Sequence, residues 1–169
     1  RSVQPAWAAT PIPERVRLVQ AALAVVLERQ DEFIERLTAE TGRPELDTLM
    51  IELFSTCDAM HFYSGRAKDQ LRDRKVGLHL LRMKSAKVIY RPLGVVAVIS
   101  PWNGPLILSI NPTIQAVLAG NAVLLKPSEV TPDAGRITQE IFEAAGFPTD
   151  LVQVLLGDGE TGSALVEAG

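Results

Sequence analysis

Apolar positions along this chain change period about halfway. From Glu14 to Glu40 they recur at Val16, Val19, Leu23, Val26, Leu27, Phe33, Ile34 and Leu37, the spacing of one face of a long helix, and Gly42 supplies the stop. A second helical pattern runs from about Pro44 to Leu71. It places Leu46, Leu49, Met50, Leu53, Phe54, Cys57, Met60, Ala67 and Leu71 on one side, against a charged companion face. Between Asp69 and Lys87 charge density rises and the pattern loosens, which predicts a connection.

Beyond it the pattern turns strand-like. Lys84 to Tyr90 alternates weakly, and Gly94 to Ile99 is a nearly continuous apolar run of the kind buried on both faces of a parallel sheet. Pro105 suits the first position of a helix; Pro112 is expected to interrupt it, with Asn111 and Pro112 capping a restart that runs to Ala119 and Gly120. Ala122 to Leu125 reads as the next buried strand, Thr131 and Pro132 open a helix ending at Gly146, and Val152 to Leu156 makes a third strand. The fold class is therefore α/β: an N-terminal helical segment, then an incomplete Rossmann-like parallel sheet of order βαβαβα with right-handed crossovers. The expected organisation is a helical segment over residues 1–83, a hairpin strand over 84–92 and a partial nucleotide-binding region over 93–169. The α/β part stops after three strands where a doubly wound nucleotide domain has five or six, so the chain reads as cut at Gly169.

Composition narrows the partners. The 169 residues are 47% hydrophobic and 22% charged, with a net charge of −3, which gives no basic footprint for nucleic acid. Apolar runs such as Val95 to Ile99 are far below the roughly 20 residues of a membrane span, so no membrane partner is expected. One cysteine excludes an internal disulfide and fits a cytoplasmic setting.

Chemistry concentrates where the strands end, at Ser100-Pro101-Trp102-Asn103 and Lys126-Pro127-Ser128-Glu129, the carboxyl ends at which α/β sheets bind ligands. Lys126 ends an apolar strand and needs partners. Glu129 can either pair with it in an ordinary loop or accept hydrogen bonds from ribose hydroxyls. Asn103 can donate to a developing oxyanion without bringing a charge, or it can cap the following helix. Trp102 taken alone reads as packing. Gly157-Asp158-Gly159-Glu160-Thr161-Gly162 is a literal GxGxxG between a strand and a helix, but its place at the third strand is unusual for a dinucleotide fingerprint, and a plain strand-to-helix turn reads equally well. Cys57 has His61 one turn later, yet nothing positive nearby activates the thiol, so it reads as a small buried hydrophobe.

Together, PLGVVAVISPWNGP, AGNAVLLKPSEVTP, AAGFP and LLGDGETGSAL resemble successive blocks of the NAD(P)-dependent aldehyde dehydrogenase superfamily, in its order and spacing, from about Tyr90 onward. The resemblance implies that Asn103 supplies the oxyanion-stabilising amide, and that Lys126 and Glu129, with Ser128 beside them, bind the adenosine ribose. It further implies that Ser100, Pro101 and Trp102 line the cofactor, and that Gly157 and Gly159 form a turn near its adenosine end. By the same resemblance the cofactor is NAD, with NADP possible, and Glu129 tilts the choice to NAD by repelling a 2′-phosphate. The substrate is an aldehyde, the assembly a homodimer or homotetramer, and Lys84 to Tyr90 part of its hairpin. The catalytic cysteine and glutamate of that chemistry are not in this chain, so it is expected to be inactive alone. An acyl-CoA-reducing relative, a non-catalytic nucleotide-binding or assembly module, and a purely structural fragment are the competing readings.

Overall fold

A computed structural model describes residues 2–80 and 83–168; Leu81 and Arg82 in the expected connection, and Gly169 at the expected cut, lie outside them. The helical part comprises α1 (Gln4–Ala9), α2 (Ile12–Glu28), α3 (Gln30–Thr41), α4 (Glu45–Thr48), a π-helical turn (Leu49–Phe54) and α5 (Ser55–Gln70). After a small antiparallel hairpin of β1 (Arg74–Val76) and β2 (Ala86–Val88) come β3 (Val95–Ile99), α6 (Pro105–Leu118), β4 (Ala122–Lys126), α7 (Pro132–Ala144), β5 (Val152–Val154) and α8 (Gly159–Glu167). The sheet is parallel with order β3-β4-β5, registered with Val95 opposite Ala122, Ile99 opposite Lys126 and Val123 opposite Val152. This is the expected βαβαβα order.

Helices α6 and α7 cover one face of the sheet, and α2, α3 and α5 pack behind them. Leu106, Ile110, Ile114, Val117, Leu125, Ile137 and Ile141 are buried at the centre, together with Val19, Val26, Phe33, Leu37 and Met60 from the helical layer. Trp7 closes one end, donating from Nε1 to the Val117 carbonyl at 2.9 Å and stacking at an angle on Phe147.

Four expectations need correction. The first long helix breaks at Arg29, whose backbone leaves helical geometry (φ −107°, ψ 20°), although Gly42 stops it as expected, with φ 70°. There the Arg29 guanidinium lies over the Phe33 ring and pairs with Glu32 and Glu140, so the chain bends to follow α7. In the second pattern, Leu53, Met60 and Ala67 are buried as expected, but Leu46, Met50 and Phe54 are exposed, and Thr48, Glu52, Thr56 and Ser64 join the inward row. The π-helical turn at Leu49–Phe54 rotates the buried face, and a carboxylate occupies it. Pro112 does not interrupt α6: the helix runs unbroken because Ile110, Thr113, Ile114 and Val117 around the proline are buried. Burial of that face outweighs one lost backbone bond. Lastly, β3 is not buried on both faces, since Ala97 and Ile99 are exposed where only α8 lies on the far side. The hairpin partner β1 falls inside the expected connection, where three residues give too short a pattern to read.

Two carboxylates join the layers. Glu40, at the end of α3, accepts from the backbone N–H groups of Asp133 (2.6 Å) and Ala134 (3.1 Å) at the start of α7. Glu52 accepts from those of Leu106 (3.0 Å) and Ile107 (3.1 Å) at the start of α6. Both helices begin with proline, at Pro132 and Pro105, so in each the carboxylate meets the first free donors. Beside Glu40, Arg36 forks onto Asp133 at 2.9 and 3.0 Å and onto Glu140 at 2.9 and 3.0 Å.

The Arg36 guanidinium holds the Asp133 and Glu140 carboxyls below their ordinary values of 3.8 and 4.5. A depressed native pKa contributes stability that is present above the unfolded pKa and lost as pH falls through the native one. The thermal midpoint should therefore drop as pH is lowered below about 4.5, and Arg36→Met should flatten that part of the profile. Gly135 gives a second prediction, since a Cβ there would lie 2.5 Å from Cγ of Pro127, a rigid ring. Gly135→Ala should destabilise the fold by roughly 1–3 kcal/mol in chemical denaturation.

Candidate functional site

Strands β3 and β4 end side by side, tied by the Ser100 N–H donating to the Lys126 carbonyl at 3.0 Å. Their two loops and one face of α8 enclose an open cleft of about 520 Å³ at the carboxyl edge of the sheet. The loops contribute Ile99, Ser100, Pro101, Lys126, Ser128 and Glu129. From α8 come Gly159, Gly162, Ser163, Val166 and Glu167, spaced as a helical face. Of the expected site residues, the structure thus brings six to one cleft: Ser100, Pro101, Lys126, Ser128, Glu129 and Gly159. Gly162, Ser163, Val166 and Glu167 escaped the sequence reading, although the helix that begins after Asp158 could have shown them at i, i+3 and i+4.

Lys126 is buried along its stem, 3% exposed, while its ammonium reaches the cleft. Nζ donates to the Pro127 carbonyl at 2.8 Å and lies 3.7 Å from Glu129 Oε2, beyond hydrogen-bond reach. An ammonium has three donors, and one is engaged here among the described residues. The lysine stem lies against α8 at Gly162, where a Cβ would make an ordinary van der Waals contact with Lys126 Cδ at 3.5 Å. Glu129 keeps a side chain 57% exposed, free to accept from a ligand. Ser128 shapes its own loop, its Oγ accepting from the Val130 N–H at 3.2 Å. Ser100 is buried and bonded to Ser109 Oγ at 2.7 Å, so its side chain fixes the loop and its backbone faces the cleft.

The GDGETG turn works differently from a phosphate cradle. Asp158 turns back as the N-cap of α8, accepting from the N–H groups of Glu160 (3.0 Å) and Thr161 (3.4 Å). A carboxylate thus stands where a pyrophosphate would bind, and it would repel one. Gly157 is outside the cleft lining; it is required by close approach, because a Cβ there would fall 2.0 Å from Thr161 Oγ1.

Trp102 and Asn103 sit on the loop beyond the cleft. Trp102 is 60% exposed, which corrects the expectation that it packs: the inward face of the helix that follows it is taken by Leu106 and Ile110, both fully buried. Asn103 does not cap α6 either, for Gly104 is the N-cap and Glu52 satisfies the first turn. Among the described residues the Asn103 carboxamide makes no hydrogen bond, while its backbone carbonyl accepts from the Arg43 guanidinium. Cys57 lies in an apolar groove with Val26, Leu27, Leu49, Leu53 and Phe54, remote from the cleft lining, and burial pushes its thiol pKa up. It is no activated nucleophile. No helix among the described residues is long and apolar enough to cross a membrane.

Comparison with known proteins fits this geometry. The model of the aldehyde dehydrogenase family matches residues 1–169. The chain is 38% identical over 164 residues to 4,4'-diapolycopene aldehyde oxidase of Methylomonas sp, covering 96% of this chain and 31% of that protein. It is also 38% identical over 165 residues to a probable coniferyl aldehyde dehydrogenase of Pseudomonas aeruginosa, covering 94% and 34%. Among solved structures, Mycobacterium tuberculosis aldehyde dehydrogenase complexed with NAD+ superposes with a TM-score of 0.87 at 33% identity, over 94% of this chain and 32% of that one. A Bradyrhizobium japonicum proline utilization A mutant gives 0.88 at 30% identity, over 98% and 17%. The chain spans about a third of the length of the curated relatives it matches. With a family-wide match to every residue and the same backbone in an NAD+-bound relative, the chain belongs to the aldehyde dehydrogenase family.

Proposed function

We propose that the protein carrying this chain oxidises an aldehyde with a nicotinamide cofactor, and that this chain supplies the adenosine-side cleft and the oxyanion donor. The observation that carries the reading is the Lys126 ammonium, held at the cleft by a buried stem with donors unpaired, next to an exposed Glu129 carboxylate. Vicinal ribose hydroxyls both donate and accept, so a cation with free N–H groups and a carboxylate some 3.7 Å away complement them on both counts. Glu129 and Glu167 line the cleft as carboxylates and oppose a 2′-phosphate, which favours NAD over NADP. Ser100, Pro101, Ser128 and Gly159 line the cleft along which the cofactor lies, and Trp102 and Gly157 extend that surface on the loops beside it.

The carboxylates that already fill the starts of α6, α7 and α8 leave ribose recognition, rather than a helix N-terminus, as the main handle on the cofactor. Bound cofactor supplies the hydride acceptor. On the protein side, the Asn103 amide donates to the aldehyde oxygen as charge develops on it. The nucleophilic cysteine and the water-activating glutamate of that chemistry come from outside these residues, since Cys57 is half-buried in an apolar groove away from the cleft lining. We further assign residues 93–169 to the cofactor-binding region, the helices within 1–83 to its backing and 84–92 to one strand of an oligomerisation hairpin whose other strand is β1. Val76, Val88, Ile89 and Tyr90 are exposed along that hairpin and would be covered in a homodimer or homotetramer.

Lys126→Ala should weaken NAD binding by roughly ten- to a hundredfold, the loss of charged hydrogen bonds, as read by calorimetric titration. An unchanged dissociation constant would place the ribose elsewhere. Asn103→Ala in the active protein should lower kcat by about 10²–10³ while leaving NAD affinity intact.

A further inference from the structure

We infer that Arg43 and Glu52, in the helical layer, are positioning residues that set the place of the Asn103 amide; the inference rests on the oxyanion role proposed above. Glu52 is wholly buried, yet both of its oxygens are engaged. Oε2 accepts from the N–H groups of Leu106 and Ile107, and Oε1 accepts from Arg43 Nη1 at 2.7 Å. The other terminal nitrogen of Arg43 donates to the Asn103 carbonyl. One ion pair therefore holds the main chain on both sides of Gly104 and Pro105: the carbonyl just before that pair and the amides just after it.

The arrangement divides the labour at Asn103. Its backbone is clamped, whereas its carboxamide makes no hydrogen bond among the described residues and is exposed. An oxyanion donor must be held to within a fraction of an ångström before charge develops, yet must not be engaged by the protein's own acceptors. Gly104 on its own would leave the loop free to turn, and the flanking Trp102 is exposed and provides no packing anchor. The clamp supplies the missing restraint. It also explains why the inward row of the second helix carries a glutamate where an apolar residue would otherwise pack, and why the helix takes a π turn there: the turn at Leu49–Phe54 brings Glu52 beneath the start of α6.

The fork of arginine is essential to this geometry. Two terminal nitrogens reach two acceptors, the Glu52 carboxylate and the Asn103 carbonyl, at once; the single ammonium of a lysine keeps the charge but cannot hold the same planar bridge. Glu52→Gln keeps an acceptor for the α6 amides and removes the ion pair. Both changes spare the cofactor cleft, which neither residue lines.

The test is a double-mutant cycle in the catalytically active protein that carries this chain, reading kcat/KM for an aldehyde, the NAD dissociation constant and the thermal midpoint. Arg43→Lys should lower kcat/KM roughly tenfold or more, because small displacements of a catalytic group are costly, and leave NAD affinity within about twofold. In the Asn103→Ala background the same substitution should have no further effect on kcat/KM, since the group it positions is gone. Glu52→Gln should behave alike; should it lower the thermal midpoint too far to assay, the more exposed Arg43→Lys still decides. An unchanged kcat/KM for Arg43→Lys, or a loss that multiplies with that of Asn103→Ala, overturns the positioning role while leaving the oxyanion reading intact. An Asn103→Ala protein with undiminished kcat/KM overturns both.

Discussion

The structure depends on carboxylates placed at the starts of helices. Glu52 fills the N-terminus of α6, Glu40 that of α7 and Asp158 that of α8. Each crossover helix directs its first free N–H groups and the positive end of its dipole toward the carboxyl edge of the sheet, where the candidate cleft lies. Left open, those ends would be anion sites; filled, they become joints. The two long-range joints, from Glu40 and Glu52, dock the helical layer on the sheet half with polar precision that packing alone lacks. A slip of α3 or the π-helical turn along its neighbour would leave a buried carboxylate and two buried amides without partners.

The same constraint shapes the proposed cofactor site. In a conventional dinucleotide fold, a glycine-rich turn opens a helix whose amides bind pyrophosphate. Here the comparable motif, GDGETG, spends its glycines on a close turn under Thr161 and on a surface for the Lys126 stem, and Asp158 takes the amides. In the function proposed above, recognition of the cofactor falls to Lys126 and Glu129 at the end of β4. Burial of the lysine stem is a low-entropy way to hold an ammonium at the cleft wall, because its methylenes are already packed before any ligand arrives.

Physical reasons separate the elements legible in sequence from those that were not. The parallel order was legible because β3, β4 and β5 are short apolar runs separated by helix-length segments with proline openers and glycine stops. The candidate loops were legible because Ser100 directly follows β3 and Lys126 ends β4. Pro112 misled because local propensity argues for a break, whereas Ile110, Ile114 and Val117 bury enough surface to hold α6 straight through it. The stripe from Leu46 to Leu71 held at Leu53, Met60 and Ala67 but misled at its start, because apolar spacing has no way to register an ion pair: Leu46, Met50 and Phe54 match the helical period and are exposed, while Glu52 is taken inside.

The chain's own residue order determined the alternation of strand and helix, the placement of chemistry at strand ends and the family resemblance those blocks carry, all of them matters of local pattern. Tertiary structure alone decided which face of the second helix turns inward, that one face of β3 stays open, and that Arg43, 60 residues before Asn103 in sequence, comes to hold its carbonyl. Such long-range pairings leave no periodic trace. They arise where two layers meet and each must satisfy the buried polar groups of the other, a condition that exists only after the chain has folded.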